Sequence, residues 1–119
     1  MIIGIGVDLI EIDRVEKAYQ KIVFQKKYFT QKEIEFIGMD YKKAAGNFAV
    51  KEAVAKMFGT GFRGFAPIDI EVLRDEQGKP YVNLFGRAQE LASARGIKKV
   101  HVSISNVKEY ANAFVVGEA

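Results

Sequence analysis

The sequence predicts an α+β domain in which helices cover a mainly antiparallel sheet, and three observations carry that prediction. The chain has 119 residues, enough for one hydrophobic core and too few for two. Short stretches near both ends alternate apolar and polar residues, while the middle of the chain repeats its apolar residues at helical spacing. The elements then follow in the order β-ααα-ββ-α-ββ, with strand pairs joined by short links as in hairpins rather than through the regular strand–helix alternation of a parallel sheet. A single domain over residues 1–119 is expected.

Residues 2–9 read as a buried strand, because Ile2, Ile3, Ile5, Val7 and Leu9 are apolar and Gly4 and Gly6 permit close backbone packing. That strand delivers Asp8 to its end. A helical pattern runs from Ile12 to about Lys27, and Thr30-Gln31-Lys32-Glu33 matches a capping box that starts a shorter helix. Asp40 caps a third and longest helix, Tyr41 to Phe58, which Gly59 ends in a left-handed conformation. Ile68–Arg74 and Tyr81–Phe85 are the strands of a hairpin whose turn is Asp75-Glu76-Gln77-Gly78-Lys79-Pro80. Gly86 to Arg95 is an alanine-rich helix stopped by Gly96, and Val100–Ser105 with Ala111–Gly117 form a closing strand pair.

Composition narrows the chemistry. Zero cysteines exclude disulfides, iron–sulfur clusters and thiolate zinc sites, and with one histidine any metal must be held mainly by oxygen. The apolar start meets Asp8 after seven residues and lacks a basic leader, so it is neither a signal peptide nor a membrane span, and a cytoplasmic location is the expectation. Net charge is only +3, but Arg14 to Lys32 contains six basic residues against one acid. That stretch is either a solvated helix face or a docking surface for an acidic partner. The aromatic-interleaved basic strands of single-strand RNA binders are lacking, so no nucleic acid is expected.

Three polar groups stand out. Asp8 closes an apolar strand, where a lone carboxylate is solvated, hydrogen-bonded as a cap, or bound to a metal. In Lys51-Glu52-Ala53-Val54-Ala55-Lys56, helical spacing places Phe48, Glu52 and Lys56 on one face; an i,i+4 Glu–Lys pair is also an ordinary surface stabiliser worth about 0.2–0.5 kcal/mol. His101, Ser103 and Ser105 share one face of a strand, which suits a polar ligand or plain solvent exposure equally. Gly4-Ile5-Gly6 lacks the third glycine and following helix of a dinucleotide fingerprint, so a Rossmann reading is rejected.

Together these segments resemble the holo-[acyl carrier protein] synthases of the 4′-phosphopantetheinyl transferase superfamily. The resemblance runs nearly end to end, through Gly4-Ile5-Gly6-Val7-Asp8, Phe29-Thr30 with Glu33, Ala45-Gly46, Phe48-Ala49-Val50-Lys51-Glu52-Ala53, Lys56 with Gly59-Thr60-Gly61, Asp69-Ile70-Glu71, Gly78-Lys79-Pro80, His101 to Ser105 and Ala111 to Val116. It implies a Mg²⁺-dependent transfer of 4′-phosphopantetheine from coenzyme A to a serine of apo acyl carrier protein, releasing adenosine 3′,5′-bisphosphate and supporting fatty acid biosynthesis. Asp8 and Glu52 would hold the metal, Lys56 would lie near the phosphates, and the base would be Glu52 or a water on the metal. Gly59, Thr60, Gly61, Lys79, Pro80, His101, Ser103 and Ser105 would contact coenzyme A. The family often has arginine where this chain has Asn47, at a position associated with the 3′-phosphate, and histidine where it has Asn106; Lys43 is the candidate to supply the missing charge. Arg14, Lys17, Lys21 and Lys27 would meet the acidic carrier protein, and a homotrimer is implied. The alternative reading is a non-catalytic basic domain that binds an acidic protein or nucleic acid.

Overall fold

A computed structural model describes residues 1–119. Its elements are β1 (Ile2–Glu11), α1 (Ile12–Tyr19), α2 (Ile22–Tyr28), α3 (Gln31–Ile37), α4 (Lys42–Phe58), a 3₁₀ turn (Pro67–Asp69), β2 (Ile70–Arg74), β3 (Pro80–Leu84), α5 (Gly86–Ala94), β4 (Lys99–Asn106) and β5 (Tyr110–Glu118). The α+β class and the antiparallel pairing follow the sequence expectation. The single sheet does not, because the strands form a three-stranded sheet in the order β1-β5-β4 and a separate β2-β3 hairpin. Val82, Leu84, Ala92, Ile97 and Val100 line the groove between β3 and β4, so side chains rather than backbone hydrogen bonds bridge the two sheets there.

α4 is the core of the molecule. Twelve of its 17 residues are buried, and Gly59 ends it at φ 77°. Asp40 accepts a hydrogen bond from the Lys42 amide, as a capping residue should, although the helix proper begins at Lys42. One side of α4 lies against β1 at backbone-contact distance: a Cβ added to Gly6 would fall 1.8 Å from the Ala53 carbonyl oxygen, and one on Gly4 2.5 Å from that of Met57. Only glycine allows this approach.

The expected helix from Ile12 to Lys27 is two helices. Lys21 is extended (φ −91°, ψ 124°), and the Gln25 side chain donates to the Tyr19 carbonyl across the break at 2.6 Å. Continued helix would have turned Ile22 and Val23 toward the stripe of Ile12, Val15 and Tyr19. The break instead resets the phase, leaving Ile22 and Val23 exposed and packing Phe24 and Tyr28 on Phe48 at ring separations of 6.1 and 5.8 Å.

The capping box forms at α3, with Thr30 Oγ1 accepting from the Glu33 amide and Glu33 accepting from that of Thr30. The reading of β1 as buried needs correction. β1 is an edge strand whose glycine face meets α4, while Ile5, Val7 and Leu9 point to the other side and remain 50–64 % exposed. Phe114 on β5, paired with Val7, extends this open apolar face.

Candidate active site

β1 and α4 bring Asp8, Glu52 and Lys56 together. Asp8 falls on the helix-facing side of β1, two residues after Gly6. Residues 48, 52 and 56 rise one turn apart on the facing side of α4. Lys56 Nζ donates to Asp8 Oδ1 at 2.9 Å and to the Val7 carbonyl at 3.0 Å, while Asn112 Nδ2 donates to the Asp8 carbonyl at 3.1 Å. The Asp8 side chain is 14 % exposed and that of Lys56 56 %, so the ammonium covers the acid from the solvent side.

Glu52 and Asp8 line one cleft of about 450 Å³, whose apolar wall includes Ile10, Val15, Phe24 and Phe48, with Arg14 at its edge. Partial burial raises the proton affinity of Glu52 and the Asp8 charge raises it further, against a smaller lowering effect of Lys56. Two carboxylates that repel each other in a partly buried cleft form a site that a cation would relieve. No cluster of three or more histidine, cysteine or acidic side chains is present that could enclose an ion on its own. Mg²⁺ fits such a pair, because it takes hard oxygens and usually only one or two carboxylates, completing its shell with water and substrate phosphates.

The other sequence-derived positions fall elsewhere. Gly59, Thr60 and Gly61 form the turn directly after α4, within a turn of Lys56, with Thr60 Oγ1 donating to the Gly61 carbonyl. Lys79 ends the β2–β3 turn, where its amide donates to Asp75 Oδ1, and Pro80 opens β3 opposite Arg74. His101, Ser103 and Ser105 are exposed on the sheet face opposite α4, in line with Ile5, Val7 and Leu9, and His101 contacts Glu118 at 2.8 Å. Within one chain the sheet therefore separates them from Asp8. Asn106 is exposed at the end of β4. Lys43, at the start of α4, lies 4.8 Å from the centre of the Phe36 ring.

Asn47 corrects the expectation of a coenzyme A contact. It is fully buried, with Nδ2 donating to Glu33 Oε2 at 3.0 Å and to the Val72 carbonyl at 2.9 Å, so it offers no surface to a ligand. Lys51 likewise leaves the polar set around Glu52: it is 0 % exposed and pairs with Glu33 at 2.7 Å on the core side of the helix. Arg14, Lys17, Lys21 and Lys27 are all exposed along α1 and α2, with Arg14 4.0 Å from Glu11. Sequence reasoning missed Phe24 as a wall of the cleft, since the apolar stripe of α1 read as continuous through it.

A β-strand laid by glycines onto a long helix, with an acid from each meeting in one cleft, has clear counterparts. A sequence model of the 4′-phosphopantetheinyl transferase superfamily matches residues 4–115, and the chain belongs to that superfamily. Within it the similarity is to holo-[acyl-carrier-protein] synthases. The enzyme of that name from Lachnoclostridium phytofermentans is 57 % identical over 118 residues, covering 99 % of this chain and 97 % of the relative. The crystal structure of the Neisseria meningitidis synthase superposes with a TM-score of 0.89 at 32 % identity over the whole of both chains. That of the Helicobacter pylori synthase, solved in complex with coenzyme A, gives 0.85 at 28 % identity over 96 % of this chain and 99 % of that one.

Proposed function

We infer that the chain is a holo-[acyl-carrier-protein] synthase, which transfers 4′-phosphopantetheine from coenzyme A to a serine of an apo acyl carrier protein and releases adenosine 3′,5′-bisphosphate. The meeting of Asp8 and Glu52 in one cleft, with Lys56 paired to Asp8 from the solvent side, carries this reading beyond family membership. Asp8 and Glu52 would hold Mg²⁺, which when bound supplies charge neutralisation at the coenzyme A diphosphate.

The chain's own residues account for the rest of the transfer. A serine hydroxyl attacking the β-phosphate must lose a proton, and Glu52, on the wall of the cleft, or a water beside it would accept that proton. The new Ser Oγ–phosphorus bond forms as the bond from phosphorus to the leaving bisphosphate breaks, so negative charge grows on the departing oxygen. Lys56 is half-exposed on a flexible stem and can swing from Asp8 to that charge. The apolar wall of Val15, Phe24 and Phe48 keeps water from competing with the serine.

Arg14, Lys17, Lys21 and Lys27 present an exposed basic face beside the cleft, suited to the acidic carrier protein. Such rim charges raise the encounter rate more than the affinity. The open apolar face of Ile5, Val7, Leu9 and Phe114 supports association of copies, here proposed as a homotrimer, because contiguous exposed apolar area of this kind marks an interface. In such an assembly His101, Ser103 and Ser105 would serve the coenzyme A of a neighbouring copy. The proposed setting is fatty acid biosynthesis in the cytoplasm.

The test is to incubate the protein with coenzyme A, Mg²⁺ and an apo acyl carrier protein and to weigh the carrier protein by mass spectrometry. A gain of one phosphopantetheine is expected. Absence of any gain with folded protein and several carrier proteins would overturn the reading and favour a non-catalytic basic domain.

A further inference from the structure

The least expected feature of the core is an ion pair with no solvent contact, Glu33–Lys51, both side chains 0 % exposed. All three protons of the Lys51 ammonium are used: one on Glu33 Oε1 at 2.7 Å, one on the Pro67 carbonyl at 3.1 Å and one on the Ile70 carbonyl. Glu33 Oε1 also accepts from the Thr30 amide, and its Oε2 accepts from Asn47, one helical turn before Lys51. α4 is thus tied at two successive turns, by directional bonds, to α3, the 3₁₀ turn and β2. Buried ion pairs of this kind contribute little net stability, since desolvation offsets most of the attraction and apolar replacements are often neutral. A pair that adds little stability can still fix geometry.

On the opposite side of α4, the helix backbone at Ala53 and Met57 lies directly on Gly4 and Gly6 of β1, a contact without interlocking side chains on the strand, and Met57 sets its side chain against Gly117 of β5, so little on the β1 side resists rotation. Glu52 follows Lys51 by about 100° around the helix. A carboxylate tip at the 5–6 Å radius of a helix surface moves about 1 Å when the helix rolls by about 10°. We propose that the Glu33–Lys51–Asn47 cluster is the positioning device of the active site, fixing the roll of α4 so that Glu52 faces Asp8. Glu33 and Lys51 are positioning residues that act through Glu52 and touch no substrate. The proposal rests on the assignment of Asp8 and Glu52 as a cation site.

The test is the double variant Glu33→Gln/Lys51→Met, which removes both buried charges together and keeps an acceptor for the Thr30 amide. Its first readout is Mn²⁺ binding to the protein by electron paramagnetic resonance, without coenzyme A or turnover; its second is thermal melting. The expected result is a cooperative melt with Mn²⁺ affinity weakened at least tenfold, and a transfer rate that falls with a raised Mg²⁺ requirement. A purely structural role would lower the folded fraction and leave the metal affinity of the folded protein unchanged, which would overturn the proposal. If the double variant fails to fold, Asn47→Leu carries the test, since it removes one of the two ties and leaves the ion pair; a threefold or greater loss of Mn²⁺ affinity is expected, and unchanged affinity refutes it. Wild-type protein that binds Mn²⁺ at the Asp8–Glu52 site but shows no transfer would refute the enzymatic reading while leaving the positioning proposal to its own outcome.

Discussion

Replacing Gly6 by alanine should damage the active site from a position that carries no chemistry. The added Cβ would sit 1.8 Å from the Ala53 carbonyl oxygen and 2.8 Å from the Met57 amide nitrogen. Real contacts of this kind need about 3 Å, so strand and helix must part by about 1.2 Å. Both obstacles are backbone, and neither can rotate away. Asp8 is two residues along the strand, and Glu52 is the residue before Ala53, so the parting acts directly on the separation of the two acids. A misplacement of about 1 Å at a reacting centre can lower the rate by about 10²-fold, equivalent to about 2.7 kcal/mol of transition-state stabilisation. Overpacking of this kind lowers stability by about 1–3 kcal/mol, which a thermal melt separates from the catalytic loss. The assay is phosphopantetheine transfer below the variant's melting temperature, beside Gly46→Ala as control. An alanine Cβ at Gly46 meets nothing closer than 3.5 Å, within a helix, and should stabilise by about 0.5–1 kcal/mol with activity unchanged. A folded Gly6→Ala protein with activity within about threefold of wild type would refute the argument.

Glu52 binds its proton more tightly in the folded chain than its ordinary value of 4.5 allows, so its ionisation opposes folding as pH rises through the raised value. Glu52→Gln should therefore melt above the wild type at neutral pH without metal. The gap should close as pH falls below 4.5, where wild-type Glu52 is protonated in both states, and a pH-independent gap would contradict the assignment. Added Mg²⁺ with coenzyme A should raise the melting temperature of wild type more than that of the variant. Arg14→Ala should raise KM for the carrier protein several-fold at low salt and change KM for coenzyme A little; steady-state kinetics at two ionic strengths checks this, because screening erases rim-charge effects. If the proposed trimer forms through the open sheet face, the wild type should sediment near three times the 13.3 kDa chain and Val7→Asp near the mass of one chain.

What was legible in the sequence was local. The Thr30/Glu33 capping box, the Gly59 terminator and the Asp75–Pro80 turn were readable because each is closed by bonds within a few residues, such as Asp75 Oδ1 accepting from the Gln77 and Lys79 amides. The shared face of Glu52 and Lys56 was readable from helical spacing. Their meeting with Asp8 spans more than 40 residues, and only the paired glycines of β1 hinted at a strand pressed onto a helix. Lys51 and Asn47 were beyond reach, because nothing in spacing says that a lysine beside Glu52 turns inward to a glutamate 18 residues earlier. The break at Lys21 was hidden for a related reason: no glycine or proline marks it, and the packing of Phe24 and Tyr28 on Phe48 decides it.

The misjudged burial of β1 bears most on function. Ile5, Val7 and Leu9 have the composition of a buried strand, yet in a single chain they cover nothing, because the period of two that turns Gly4, Gly6 and Asp8 toward α4 turns them away from it. Their chemistry and their exposure agree only if another surface covers that face. The same geometry bears on His101, Ser103 and Ser105, which stand on the outward side of the sheet while Asp8 stands on the inward side. A ligand held by Asp8 and Glu52 cannot pass through a hydrogen-bonded sheet to reach them. If these side chains contact coenzyme A, they contact the molecule bound to another copy. A Ser103→Glu substitution that left assembly intact but weakened coenzyme A would then be complemented, in mixed oligomers, by subunits carrying Asp8→Asn. No recovery of transfer on mixing would mean that the outward row serves association alone.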